Sequence, residues 1–150
     1  MTVSNSTVLI RKAAIIAMAL VMALAVMGLN QAQADIQITE NITEDTVWDD
    51  TTQPYVMRGI SIYNDATLTI MPGVEVRIDH GGSINVGLGS YNGTLVAEGT
   101  PQNPVVFTRS GETPWASINF YDNATASRSI LKNCIFDNGG YNYSHMVVSA

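Results

Sequence analysis

Between Asp65 and Phe107 apolar and polar residues alternate in short bursts, each broken by a corner. Asp65-Ala66-Thr67-Leu68-Thr69-Ile70 leads through Met71-Pro72-Gly73 into Val74-Glu75-Val76-Arg77-Ile78. Gly93-Thr94-Leu95-Val96-Ala97-Glu98 then leads through Gly99-Thr100-Pro101 and Asn103-Pro104 into Val105-Val106-Phe107. Period-two alternation bounded by Pro, Gly and Asn predicts strands joined by turns. Leu68 and Leu95 stand 27 positions apart (95 − 68), inside the roughly 20–50-residue range of stacked repeats. A unit this small cannot bury its apolar face alone and needs a neighbouring copy against it.

Further strands are predicted over 55–63, 67–70, 74–78, 83–86, 94–97, 105–108, 115–121 and 129–136. No window after residue 34 holds a sustained 3.6-residue apolar period, so helix is not expected. Four- to six-residue strands with Pro-Gly or Asn-x-Pro corners make poor hairpin arms but suit the sides of a coil. Leu68, Ile70, Val74, Val76 and Ile78 are expected to line one narrow core, with Leu95, Ala97, Val106 and Ile118 on the level above. A β-sandwich is the alternative. Asp35–Pro54, rich in Thr, Asp and Glu with Trp48 as its aromatic, reads as a polar cap without regular periodicity. Met146-Val147-Val148-Ser149-Ala150 begins like one more strand, with no cap following. That leads to the expectation of an N-terminal portion of a longer coil, cut short at its C-terminal end.

The ordered string Leu68-Thr69-Ile70-x-Pro72-Gly73-Val74-x-Val76, Ile84-x-Val86, Leu95-x-Ala97-x-Gly99-Thr100 and Pro104-Val105-x-Phe107-Thr108 resembles the opening rungs of secreted right-handed parallel β-helix proteins. These belong to the pectate-lyase-like superfamily. Trp115-x-x-Ile118-x-Phe120 and Ser129-x-Leu131-x-Asn133-Cys134-x-Phe136 continue the likeness, which covers roughly residues 48–140. Leu88-Gly89-Ser90-Tyr91-Asn92 departs from it as an inserted loop. The resemblance implies an all-β solenoid of about three rungs. It leaves function open, because the superfamily hosts lyases, hydrolases, adhesins and proteins that assist metal-site maturation in a partner.

The first thirty-four residues are set apart by their own pattern. Arg11 and Lys12 precede the uncharged run 13–29, and Ala32 and Ala34 follow. This is the layout of a secretory signal cleaved before Asp35; the apolar run is short for a bilayer span and no basic stop-transfer cluster follows it. The organisation expected is therefore a signal peptide over 1–34, a cap over 35–54 and coil over 55–150. The product would be secreted or displayed on the cell surface, with no stable membrane span after cleavage.

Removing the leader changes the charge. Arg58, Arg77, Arg109, Arg128 and Lys132 oppose thirteen acidic side chains, so the remainder carries 5 − 13 = −8. That balance excludes nucleic-acid binding, which needs clustered Lys and Arg, and disfavours anionic membranes. Cys134 is single, so no internal disulfide forms; within Ile130–Phe136 it reads as a small buried side chain rather than a nucleophile. The histidines, His80 and His145, offer it no adjacent base in sequence.

Candidate chemistry divides into three kinds. A lyase of the resembled superfamily is expected to show acidic calcium ligands and an Arg or Lys base; Asp79-His80, Asp122-Asn123, Arg77, Arg109 and Arg128 are the residues of that type. Arg77 and Arg109 fall on successive rungs where stacking is open to them, but the preferred reading of all these groups is solvated turn residues. Glu75 and Glu98 are the glycosidase-type carboxylates, and Glu44-Asp45 or Asp49-Asp50 the acidic pairs for calcium. None forms a recognisable catalytic motif, so no catalytic residue, cofactor or metal site is assigned. Second, Tyr91, Trp115, Tyr121, Tyr141 and Tyr143 fall at strand ends or in loops, where flat rings stack on sugars. For Trp115 and Tyr121 packing over the coil wall is an equal alternative, and Tyr91, Tyr141 and Tyr143, in Gly/Asn loops, are the stronger candidates. Third, Asn41, Asn92, Asn123 and Asn142 head Asn-x-Ser/Thr sequons, candidate glycan acceptors in an exported chain. The function expected is a non-catalytic module for structure, adhesion or glycan binding, its partner a polysaccharide or cell-surface glycan. The alternative is the front of a polysaccharide lyase or glycoside hydrolase.

Overall fold

The computed structural model describes residues 34–87, 90–121 and 128–141, and the backbone of 147–149. The expected leader falls outside the described residues except for Ala34. Strands β1 (Ile36–Ile38), β2 (Thr46–Trp48), β3 (Tyr55–Met57) and β4 (Ile60–Ile62) come first, followed by β5 (Ala66–Ile70), β6 (Glu75–Ile78) and β7 (Ser83–Val86). Next are β8 (Gly93–Glu98), β9 (Val105–Arg109), β10 (Ser117–Phe120), β11 (Ile130–Lys132), β12 (Cys134–Phe136) and β13 (Val147–Ser149). No helix occurs among the described residues, and none there is long and apolar enough to cross a membrane.

The strands form three sheets. Sheet I runs β1-β3-β6-β9-β12, sheet II β4-β7-β10-β13 and sheet III β2-β5-β8-β11. From β2 onward the chain visits sheets III, I and II in fixed rotation, four times over. All the strand pairings are parallel. Parallel neighbours need a crossover between them rather than a tight hairpin. Here the crossover is the passage through the other two sheets. The antiparallel sandwich alternative is overturned by this pairing, and the arrangement is compatible with a parallel β-helix.

Register follows the repeat in the sequence: Leu68 pairs with Leu95 and Ile70 with Ala97. Inward positions stack level on level. Leu68, Val74, Val76, Ile78, Ile84, Leu95, Ala97 and Ile118 are all fully buried. Val106 is the correction: Val105 and Phe107 point inward at 0% exposure, while Val106 stands between them and pairs with Glu75 on the outer side. Two ring stacks brace the core, Trp48 on Tyr55 at 4.8 Å and Phe107 on Phe136 at 5.2 Å.

Two expected strands prove to be pairs, because a corner hides inside each. Residues 55–63 split at Arg58-Gly59 into β3 and β4, which belong to different sheets. Residues 129–136 split at Asn133, whose φ of 48° turns the chain from sheet III to sheet I. The stretch read as a featureless cap contains β1 and β2, and Ile42 bridges to Ile62. Trp48 is buried there, and the Tyr55 hydroxyl accepts from the Asp49 and Asp50 amides, both at 3.2 Å.

Close backbone approach sets two glycine positions. A Cβ on Gly93 would lie 2.1 Å from the Ile62 carbonyl oxygen, and one on Gly82 would lie 1.7 Å from that of Arg58. No side chain larger than hydrogen fits where one level folds so tightly over the next.

Candidate functional site

The connections from sheet II to sheet III share one corner. At the ends of β4, β7 and β10 the ladder continues one residue further: the Tyr63 amide donates to Ile42 at 3.1 Å, Gly87 to Ile62 at 2.8 Å and Tyr121 to Val86 at 3.0 Å. Tyr63, Gly87 and Tyr121 therefore occupy equivalent places on successive levels. Gly87, with φ 77°, puts no side chain between the two tyrosines. Tyr91, later in the same connection as Gly87, brings its ring to 6.0 Å from that of Tyr63, tilted by 52°. Tyr91 is 58% exposed and Tyr121 46%.

Amide and carboxylate residues adjoin Tyr63 and Tyr91 in sequence. Asn64 and Asp65 both adopt left-handed backbone, φ 65° and 61°, a conformation Asn and Asp tolerate better than other L-residues. The Asn92 side-chain amide donates to Asp65 Oδ1 at 2.8 Å, and the Asp65 amide donates to the Asn92 carbonyl at 2.9 Å. Asn64 reaches down a level to the Thr43 carbonyl at 3.3 Å. Asp45 Oδ1 accepts from the Thr67 amide and Asn41 Oδ1 from the Ser61 amide, both at 2.8 Å. Side chains of one level thus satisfy the backbone of the next.

The expected aromatic residues divide between two corners. Tyr91 and Tyr121 fall on the II–III corner. Trp115 and Tyr141 fall on the I–II corner, with His80 edge-on to Tyr141 at 4.2 Å. Trp115 is a correction as a sugar platform: its side chain is fully buried and its indole N–H donates to the Asp137 carbonyl at 2.8 Å. Tyr141 is half-buried, its amide held by the Trp115 carbonyl at 2.8 Å. Tyr143 lies outside the described residues.

Of the sequon asparagines, Asn41 is exposed, whereas the Asn92 side-chain nitrogen is engaged with Asp65 and Thr94 of its sequon is buried. Asn123 and Asn142 lie outside the described residues. Asp122 does too.

The catalytic-type groups are dispersed. Glu75 and Glu98 lie on different sheets, Glu75 bound to Arg77 at 2.7 Å and Glu98 facing Lys132 at 4.0 Å. They do not flank a common bond. Arg77 and Arg109 do not stack either: Arg77 pairs with Thr108, and Arg109 with Ile78. Arg109 donates instead to the Glu112 carbonyl, and Asp79 accepts from the Ser110 hydroxyl. Among the described residues no group of three or more His, Cys, Asp or Glu is placed to hold a metal ion. The Asp50 carboxylate accepts from the Thr52 hydroxyl and amide, each at 2.7 Å, and the Thr52 contacts hold its pKa below the usual carboxylate value. Cys134 is half-buried, and burial pushes its thiol pKa up.

Tyr63 is the member of the corner that the sequence reading did not single out. The signal was present as a recurrence of Tyr followed by Asn or Asp: Tyr63-Asn64, Tyr91-Asn92, Tyr121-Asp122 and Tyr141-Asn142. Tyr63-Asn64-Asp65-Ala66-Thr67 is closely echoed by Tyr121-Asp122-Asn123-Ala124-Thr125.

Fold and corner together define an all-β protein of stacked parallel strands with exposed tyrosines set among amides and carboxylates. Compared with protein-family models, curated proteins and solved structures, the chain matches none.

Proposed function

We propose that this protein is an exported, non-catalytic module of right-handed parallel β-helix type, pectate-lyase-like in fold, whose II–III corner contacts a polysaccharide or cell-surface glycan. Rotation of the chain through three parallel sheets supports the coil, and parallel crossovers are right-handed in nearly all proteins. The basic, apolar and small-residue segments of 1–34 support export. One observation carries the glycan contact: the Tyr63–Tyr91 ring pair stands at an exposed corner beside Asn64, Asp65 and Asn92. Amphipathic rings stack on the apolar faces of pyranoses, while amides and carboxylates bond their hydroxyl groups.

Cosedimentation of the full chain with insoluble cellulose, chitin and cross-linked pectin tests this reading, with a parallel assay for uronate-polymer cleavage. The expected result is retention on at least one polymer without cleavage, and release when Tyr91 is changed to Ala. Cleavage would establish the lyase reading in its place. Absence of retention on all three would remove the glycan reading.

A further inference from the structure

We propose that the II–III corner takes a neutral, extended β-linked glycan lying along the direction in which strands stack, with its successive sugar rings on Tyr63, Tyr91 and Tyr121. This inference rests on the glycan-contact reading above and adds the axis, the order of rings and the charge class.

The axis follows from register. Tyr63, Gly87 and Tyr121 extend the ladders of β4, β7 and β10 by one residue each. Neighbouring strands stand about 4.8 Å apart, so Tyr63 and Tyr121 are separated by about 10 Å along the stack. Tyr91 belongs to the intervening level, and its ring is 6.0 Å from that of Tyr63. Strand spacing of about 5 Å is close to the rise of one pyranose in an extended β-1,4-linked chain. Such a chain running up the corner meets one aromatic side chain per level.

The charge class follows from the charged residues of the same connections. Glu44 and Asp45 precede β2, and Asp65 lies between β4 and β5. Arg128 is the basic residue of those connections; Arg58, Arg77, Arg109 and Lys132 belong to other strands or corners. A polyuronate laid along this corner would set its carboxylates beside those of the protein, with one cation to offset them. Like charges in contact oppose binding. Neutral hexose polymers carry no such penalty.

Calorimetric titration of the full chain with β-1,4-linked glucose oligomers of one, two, three and four units, and with a galacturonate trimer, tests the inference. Affinity should rise with each unit up to three and then level, and the glucose trimer should bind tighter than the galacturonate trimer. Tyr91→Ala and Tyr121→Ala, both at exposed positions, should each weaken the trimer by about tenfold while leaving the thermal transition unchanged. Binding that is equal for one unit and three, or that survives Tyr121→Ala, would overturn the axial row while leaving glycan contact in place. Tighter binding of the galacturonate trimer would overturn the neutral class. No binding by any oligomer, with retention on an insoluble polymer intact, would overturn the inference alone; loss of both would overturn the glycan reading as well.

Discussion

Trp115 and Cys134 show how an aromatic ring and a thiol, both reactive in other settings, become structural here. Trp115 fills the I–II corner at 0% exposure and donates its indole N–H to Asp137. Replacing it with Ala should cost about 3–5 kcal/mol through the lost burial and the cavity left behind. Trp115→Phe keeps most of the volume and should lose less, leaving the Asp137 carbonyl short of a donor at about 1 kcal/mol. Urea unfolding of the two variants checks both size and order. Cys134 sits against the Ala97 carbonyl at 3.4 Å, and burial raises its pKa. The thiolate is the reactive species, so iodoacetamide at pH 8 should label Cys134 in the folded chain more slowly than a free cysteine. Labelling at the rate of free cysteine, or faster, would contradict the burial.

Among the elements, corners do more than strands to fix the path. Three-residue strands such as β3, β4, β11 and β12 are too short for period-two alternation to declare them. What separates β3 from β4, and β11 from β12, is a backbone turn at Arg58-Gly59 or Asn133, invisible to a hydrophobic pattern that continues across it. The same shortness hid β1 and β2 in an acidic, Thr-rich segment. Longer strands were legible: β5 and β8 each carry two or more alternations, and their Leu68–Leu95 register is the repeat seen in the sequence. Val106 misled because two adjacent valines leave the phase of β9 undecided until Phe107 is placed inside. Between levels, polar side chains form ladders. Asn119 donates to Asn85 at 2.9 Å, and the Ser83 and Ser117 hydroxyls meet at 3.3 Å. A double-mutant cycle on Asn85→Ala and Asn119→Ala should return a coupling of about 0.5–1.5 kcal/mol, the net worth of one such bond. Gly93→Ala should destabilise by roughly 1–3 kcal/mol or more, because the added methyl meets backbone rather than a side chain that can swing away. A thermal transition unchanged from wild type would contradict that close approach.

At the scale of the whole molecule, sheet rotation is what gathers the site. Tyr63, Tyr91 and Tyr121 are 28 and 30 positions apart (91 − 63 and 121 − 91), yet each falls in a connection between the same two sheets. Sequence reasoning reaches Tyr91 by asking which rings sit in loops, and Tyr121 only as a ring at a strand end. It gave Trp115 the same standing, because exposure at a strand end cannot be told from burial at a corner without knowing which way the corner folds. Tyr63 belongs to the same set of aromatics but closes a stretch read as one strand, and only the split into β3 and β4 puts it at a corner. The acidic balance of residues 35–150 was legible from composition, but its bearing on a charged glycan depends on where Asp45 and Asp65 lie relative to the rings.

Amide chemical-shift mapping tests that gathering most directly. The nitrogen-labelled full chain, titrated with the β-1,4-linked glucose trimer, should show its largest shifts at residues 62–65, 91–93 and 121. The outer face of sheet I, around Glu75, Arg77 and Thr108, should stay unmoved. Shifts centred on that face, or none at the II–III corner at saturating trimer, would contradict the account.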